Sequence, residues 1–149
     1  LDAHAEFGNN AQFGARLGVV ADARFGEQSL GFIGQLAEPT SVAVLVDRML
    51  RLSGRAPVSI DGDGRPLARL AWCTGGAQSY YEAAIAAGAD VFITGELSEP
   101  QAHLARETGV AFIACGHHAS ERYGAPAVGG HLAAQFGIEH IYIEIDNPA

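Results

Sequence analysis

Val110-Ala111-Phe112-Ile113-Ala114-Cys115-Gly116-His117-His118-Ala119-Ser120-Glu121-Arg122-Tyr123-Gly124 is the stretch that decides the fold. Six apolar residues in a row read as a short strand buried on both faces, the pattern of a parallel sheet covered by helices. Gly116 turns the chain into a helical pattern that runs on toward Phe136. The same unit occurs twice upstream. Residues 70–73 are followed by Thr74-Gly75-Gly76 and a helical pattern over 79–87, which Gly88 ends. Residues 90–94 are followed by Gly95-Glu96-Leu97 and a helical pattern over 99–107, which Gly109 ends. Strands alternating with helices through short glycine turns predict an α/β fold with a mixed, mainly parallel sheet and helices on both faces. Right-handed crossovers then set all three strand-to-helix turns along one edge of the sheet, where open α/β folds collect their ligands.

Working outward, Asn9 or Asn10 is placed to cap a short helix through Arg16, with Gly18 beyond its end. A short strand is expected over 30–36. Pro39-Thr40-Ser41 opens a helix whose Val42, Leu45, Val46, Met49 and Leu50 share one apolar face, and Gly54 stops it. Residues 57–60 read as a strand, and Asp61-Gly62-Asp63-Gly64 as a hairpin turn leading to a second arm over 67–73. That acidic turn lacks the twelve-residue ligand loop of a calcium site. The last strand is expected over 139–145. Pro126 and the Gly129-Gly130 pair are expected to break or kink the final helix.

At 149 residues the chain is one domain's worth, long enough to bury a real core. Its formal net charge of −8, with only 9 Lys and Arg, argues against general nucleic-acid binding, which draws its affinity from many basic contacts. Cys73 and Cys115 each close an apolar strand and read as small core residues, not as a disulfide scaffold. No apolar run approaches the ~20 residues that span a bilayer, so no membrane is involved and the cytoplasm is the expected compartment.

The chemistry gathers around the decisive stretch. On a helix, His117 and Glu121 lie four apart on one face, where an imidazole and a carboxylate can grip one cation together. The plainer alternative is a solvated helix turn with a partly buried histidine. Nitrogen and carboxylate donors without thiolate suit Zn, Mn, Fe or Ni. Glu96 sits where a general base would reach an activated water, with a helix-capping or surface carboxylate as the competing role. Thr74-Gly75-Gly76 reads equally as a tight turn or as a phosphate cradle. His118 reads as a donor behind the ligands or as a packed histidine, and His103 as structural.

Five ordered motifs add a resemblance. Leu1-Asp2-Ala3-His4-Ala5-Glu6-Phe7-Gly8-Asn9-Asn10-Ala11-Gln12, Ala71-Trp72-Cys73-Thr74-Gly75-Gly76-Ala77-Gln78, Thr94-Gly95-Glu96-Leu97-Ser98-Glu99, residues 116–124 and Ile145-Asp146-Asn147-Pro148-Ala149 stand in the order of the Nif-three-like family. Its members are also labelled GTP cyclohydrolase 1 type 2 homologues, and the resemblance spans nearly the whole chain. It implies a dinuclear centre of two divalent metal ions with Asp2, His117 and Glu121 among the ligands, Asp2 bridging. It also implies a metal-dependent hydrolase acting on a phosphorylated or purine-type small molecule, or else a non-catalytic metal-binding regulatory or interaction module. The implied assembly is a ring-shaped homo-oligomer, a hexamer. Family members begin with a further segment that carries an early His-His pair. The chain is therefore expected to be the C-terminal portion of a longer protein, holding part of the ligand set.

Overall fold

The structure, a computed structural model, describes residues 1–147. The elements are α1 (Asn9–Leu17), β1 (Ala23–Phe25), β2 (Gly31–Thr40), α2 (Val42–Ser53), β3 (Val58–Ile60), β4 (Leu67–Trp72), α3 (Tyr81–Ala86), β5 (Val91–Thr94), α4 (Glu99–Thr108), β6 (Ala111–Ala114), α5 (His117–Glu121) and α6 (Gly124–Phe136). They build one six-stranded sheet in the order β1-β2-β4-β5-β6-β3. The α/β class and the mixed sheet hold. The centre is parallel, with Leu70 opposite Val91 and Phe92 opposite Phe112. The three outer ladders, β1–β2, β2–β4 and β3–β6, are antiparallel. The parallel pairing is thus confined to the three strand-to-helix units, and antiparallel ladders outnumber parallel ones; β2 and β3 run opposite to β4, β5 and β6.

Period-two alternation splits the core into two layers. Val91, Ile93, Ala111 and Ile113 face Phe13, Leu17, Leu45 and Met49 of α1 and α2. Phe92 and Phe112 face the other way, onto Tyr81, Ala84 and Ala105 of α3 and α4. The Tyr81 and Phe112 rings meet edge-on at 4.9 Å. Phe92 and Phe112 are wholly buried, each contributing about 1.5–3 kcal/mol of apolar burial.

Four local expectations are corrected. β3 does not form a hairpin with β4; it lies at the far edge, with Ser59 opposite Ile113. The glycine turn docks instead against the end of α4, where Asp63 N donates to Gly109 O at 3.0 Å. This docking carries the chain across the sheet. The cap of α1 is Gly8, not an asparagine; Asn9 and Asn10 are buried and bonded elsewhere. The final helix breaks at Arg122 and Tyr123, between α5 and α6. Pro126 falls in the first turn of α6, where its missing N–H is not needed.

Residues 138–147 form no strand. Ile141, Ile143 and Ile145 are 70%, 74% and 73% exposed. Their alternation is that of a strand, but no ladder partner meets it among the described residues. The segment is held over α5 by Glu144, which takes the His118 ring at 2.7 Å and the Tyr142 hydroxyl at 2.6 Å. Among the described residues no helix is long and apolar enough to cross a membrane.

Candidate metal centre

The three strand-to-helix turns meet at one edge of the sheet, as the crossover argument requires, and they are bolted together through their backbones. Gly95 N and the Thr94 hydroxyl both donate to Gly75 O, at 2.9 and 3.0 Å. Gly116 N donates to Gly95 O at 2.9 Å. Gly75 N donates to Ser120 Oγ at 2.9 Å, and that hydroxyl donates in turn to His117 O. Thr94 and Ser120 are almost wholly inaccessible, so the frame that carries the candidate residues is itself part of the core.

On this frame His117 sits between two carboxylates. Its Nδ1 lies 2.6 Å from Glu96 Oε1, and its Nε2 lies 3.1 Å from Glu121 Oε2. The two His117–Glu121 donors therefore face one point, as the four-residue spacing predicts. Gly75 makes room for them. Its φ is +74°, and a Cβ there would stand 2.1 Å from Glu121 Oε1 and 3.1 Å from His117 Nε2.

Asp2 is near but not joined to the pair. Its Oδ1 accepts from Asn9 Nδ2 at 2.7 Å. Burial, and then the charge of Asp2, push the Glu121 carboxyl above its ordinary value. Glu96 acts on His117 in the opposite sense, raising the imidazole chiefly through its hydrogen bond while its own carboxyl is lowered by the same contact. Among the described residues no three His, Cys, Asp or Glu side chains form a set that could hold an ion.

Glu96 is tied up by protein groups. Besides His117 it accepts from Gln78 Nε2 at 3.4 Å. His118 points away from the pair, to Glu144. His4 Nδ1 accepts from the amides of Glu6 and Phe7 and serves its own turn. His103 is exposed on α4 beside Glu99. Two clefts flank the frame: about 310 Å³ beside Asp2, Thr74 and Tyr80, and about 320 Å³ beside Arg55, Glu96 and His117. Thr74 Oγ1 is buried without a hydrogen-bond partner.

Sequence reasoning missed the asparagine pair and Ser120. Asn9 Oδ1 accepts from the amides of Tyr123 and Gly124, at 3.2 and 2.6 Å. Asn10 Oδ1 accepts from Thr74 N at 2.8 Å, and its amide donates to Leu30 O. Two adjacent asparagines ahead of an apolar helical face are the only local signal, and it reads first as a cap.

Residues 1–148 match the family model described as Duf34/NIF3 (NGG1p interacting factor 3). A GTP cyclohydrolase 1 type 2 homolog of Pseudomonas aeruginosa is 47% identical over 152 residues, which cover 100% of this chain and 60% of that protein. One from Neisseria meningitidis serogroup B is 46% identical, with 100% and 60% covered. The solved structure of protein ybgI, described as of unknown function, superposes with a TM-score of 0.94 at 41% identity, covering 100% of this chain and 60% of that one. A protein from Thermus thermophilus, TTHA1606, gives 0.86 at 26% identity, covering 99% and 59%. The chain thus spans about 60% of the length of the curated relatives it matches.

Proposed function

The chain belongs to the Duf34/NIF3 family, and on that premise we propose that it carries part of a dinuclear metal centre serving a hydrolase for a phosphorylated or purine-type small molecule. The observation that carries this reading is the spacing of His117 Nε2 and Glu121 Oε2, 3.1 Å apart over the bare Gly75. An ion bound at about 2.0–2.2 Å to each would find them roughly 3 Å apart. Asp2, bonded to Asn9, is the third donor in this reading. Nitrogen and oxygen donors without thiolate favour Zn, Mn, Fe or Ni.

A pair of divalent ions supplies Lewis acidity toward a phosphoryl or carbonyl oxygen and makes water acidic enough to attack near neutral pH. The chain's own residues do the rest. Gly75 leaves room for Glu121 and His117, Gly76 leaves room for Glu96, Arg55 lines the cleft beside His117, and Glu96 holds the far side of the histidine ring. The hexameric ring and the cytoplasm belong to the same proposal.

The test is elemental analysis of the protein and of Glu121→Ala, beside turnover of GTP and of simple phosphoesters. Bound metal that falls in the variant, with phosphoester turnover lost alongside it, supports the reading. Protein purified without chelator that carries no metal and takes none up sinks it. A second reading, a metal-binding interaction module without turnover, is favoured by the three exposed isoleucines of residues 138–147. Under that reading Glu121→Ala weakens an assembly and moves no rate.

A further inference from the structure

We propose that Glu96 is a positioning residue: it takes the Nδ1 proton of His117 and thereby leaves Nε2 as the atom free to coordinate. The inference rests on the metal-ligand reading of His117 and goes beyond it, because it separates Glu96 from any direct part in proton transfer to substrate.

A neutral imidazole has one N–H and one lone pair. His117 has a carboxylate at each nitrogen, so the two carboxylates compete for a single proton. If Glu121 wins, Nε2–H donates to Oε2 and the coordinating position is closed by the protein's own hydrogen bond. If Glu96 wins, the Nε2 lone pair faces the Glu121 carboxylate with nothing between them, an arrangement that a cation satisfies. The contact to Glu96, at 2.6 Å, is the shorter of the two. It assigns the proton to Nδ1.

Glu96 is also built to stay there. It follows the β5 turn directly, and that turn passes under His117 so closely that a Cβ on Gly95 would stand 2.7 Å from His117 Cα. The Gly116 amide bonded to Gly95 O fixes the two backbones to each other. From below, Gly76 leaves space for the carboxylate; a Cβ there would stand 3.1 Å from Glu96 Oε1. Gln78 Nε2 approaches the other oxygen. A carboxylate behind a ligating histidine sets the ring's orientation and raises its basicity, and removing such a partner costs about 10- to 100-fold in metal affinity. Glu96 also borders the cleft beside His117, so the ring tautomer and the metal affinity, not exposure, separate this role from that of a general base.

The test uses Glu96→Ala and Glu96→Gln and reads two quantities that do not depend on turnover. One is the tautomer of His117, from the ring ¹⁵N shifts of metal-free protein at a pH where the ring is neutral. The other is Zn²⁺ affinity by calorimetry. Expected are an Nδ1–H ring in the wild type, a shift toward Nε2–H in Glu96→Ala with Zn²⁺ bound about 10- to 100-fold more weakly, and substantial rescue by Glu96→Gln, whose carbonyl still accepts the proton. Zn²⁺ affinity within about twofold of wild type in Glu96→Ala, with the tautomer unmoved, overturns the proposal even if turnover falls; that outcome would make Glu96 a general base. Wild-type protein that binds no Zn²⁺ defeats the metal reading instead, and the tautomer measurement still decides what Glu96 does to the ring.

Discussion

Gly75 and Glu121 share one space: a Cβ on Gly75 would stand 2.1 Å from Glu121 Oε1. The absence of a side chain at the end of β4 is what lets the carboxylate lie beside His117 Nε2. Gly75→Ala therefore displaces Glu121. It also forces a side chain into φ +74°, a backbone cost of about 1–2 kcal/mol. The variant should lose both metal and stability, whereas Gly54→Ala, at an equally left-handed helix end with open space around it, should lose stability alone. Metal content and urea unfolding of both variants separate the effects.

Protons and metal compete for His117. The Glu96 hydrogen bond, with the Glu121 charge behind it, raises the imidazole above its ordinary 6.5, so the charged pair persists to higher pH than a free histidine would. Zn²⁺ affinity should fall about tenfold per pH unit once the pH drops below that raised value, as one proton must leave for each metal bound. Stability of the metal-free protein moves the other way. The raised His117 contributes stability that is fully present below 6.5 and is lost as the pH rises through its folded value. Calorimetric titrations with Zn²⁺ and metal-free urea curves at several pH values check both signs.

The parallel centre and the convergence of the three turns could be read from the sequence because both depend on local repetition: apolar run, glycine, helix. The i, i+4 pair His117–Glu121 could be read because helical spacing alone fixes it. What the sequence hid depended on distant partners. β3 reads as half of a hairpin until the Gly62 turn finds Gly109. Residues 139–145 alternate like a strand, but alternation does not supply a ladder partner. Asn9 reads as a cap for its own helix and instead serves α6, 114 residues away in the case of Tyr123. Glu96 was found as a carboxylate in the right turn, and its ring partner emerged only from the geometry.

Asn9 ties three segments together, so its loss should be costly. It accepts from two buried amides and donates to Asp2. Asn9→Ala leaves those amides unsatisfied, at about 1–3 kcal/mol for each group. Asn9→Asp keeps the acceptor but sets a carboxylate against Asp2, and should rescue little. Urea unfolding of both variants gives the two values. If Asn9→Ala costs less than about 1 kcal/mol, water has taken over the amides.

Both cysteines should be inert in the folded protein. Burial pushes Cys73 up to about 11 and Cys115 up to about 12, from an ordinary 9.0. The thiolate fraction of Cys73 near pH 8 is then roughly a hundredfold below that of a free thiol, and alkylation should be slowed at least as much. In the unfolded chain both thiols ionise near 9, so the folded state holds more protons above that pH. Stability should decline as the pH rises from about 9 toward 12. Native-state labelling with a thiol reagent, repeated in urea, checks the first claim, and alkaline unfolding curves of wild type against Cys115→Ala check the second.

The segment beside α5 is held by an exposed latch, and it should come away without disturbing the His117–Glu121 pair. Glu144 bonds His118 and Tyr142 and lies 3.5 Å from Arg122. Glu144→Ala removes all three contacts. Exposed ion pairs contribute only about 0.2–1 kcal/mol each, so global stability should change little. Local opening is a different quantity, because residues 138–147 join no ladder among the described residues and Ile141, Ile143 and Ile145 face outward. Protease cleavage and hydrogen exchange in this segment should rise severalfold in Glu144→Ala, while Zn²⁺ affinity at His117 and Glu121 stays unchanged. A fall in Zn²⁺ affinity would mean that His118, released from Glu144, turns back toward the pair and that the latch is part of the metal centre.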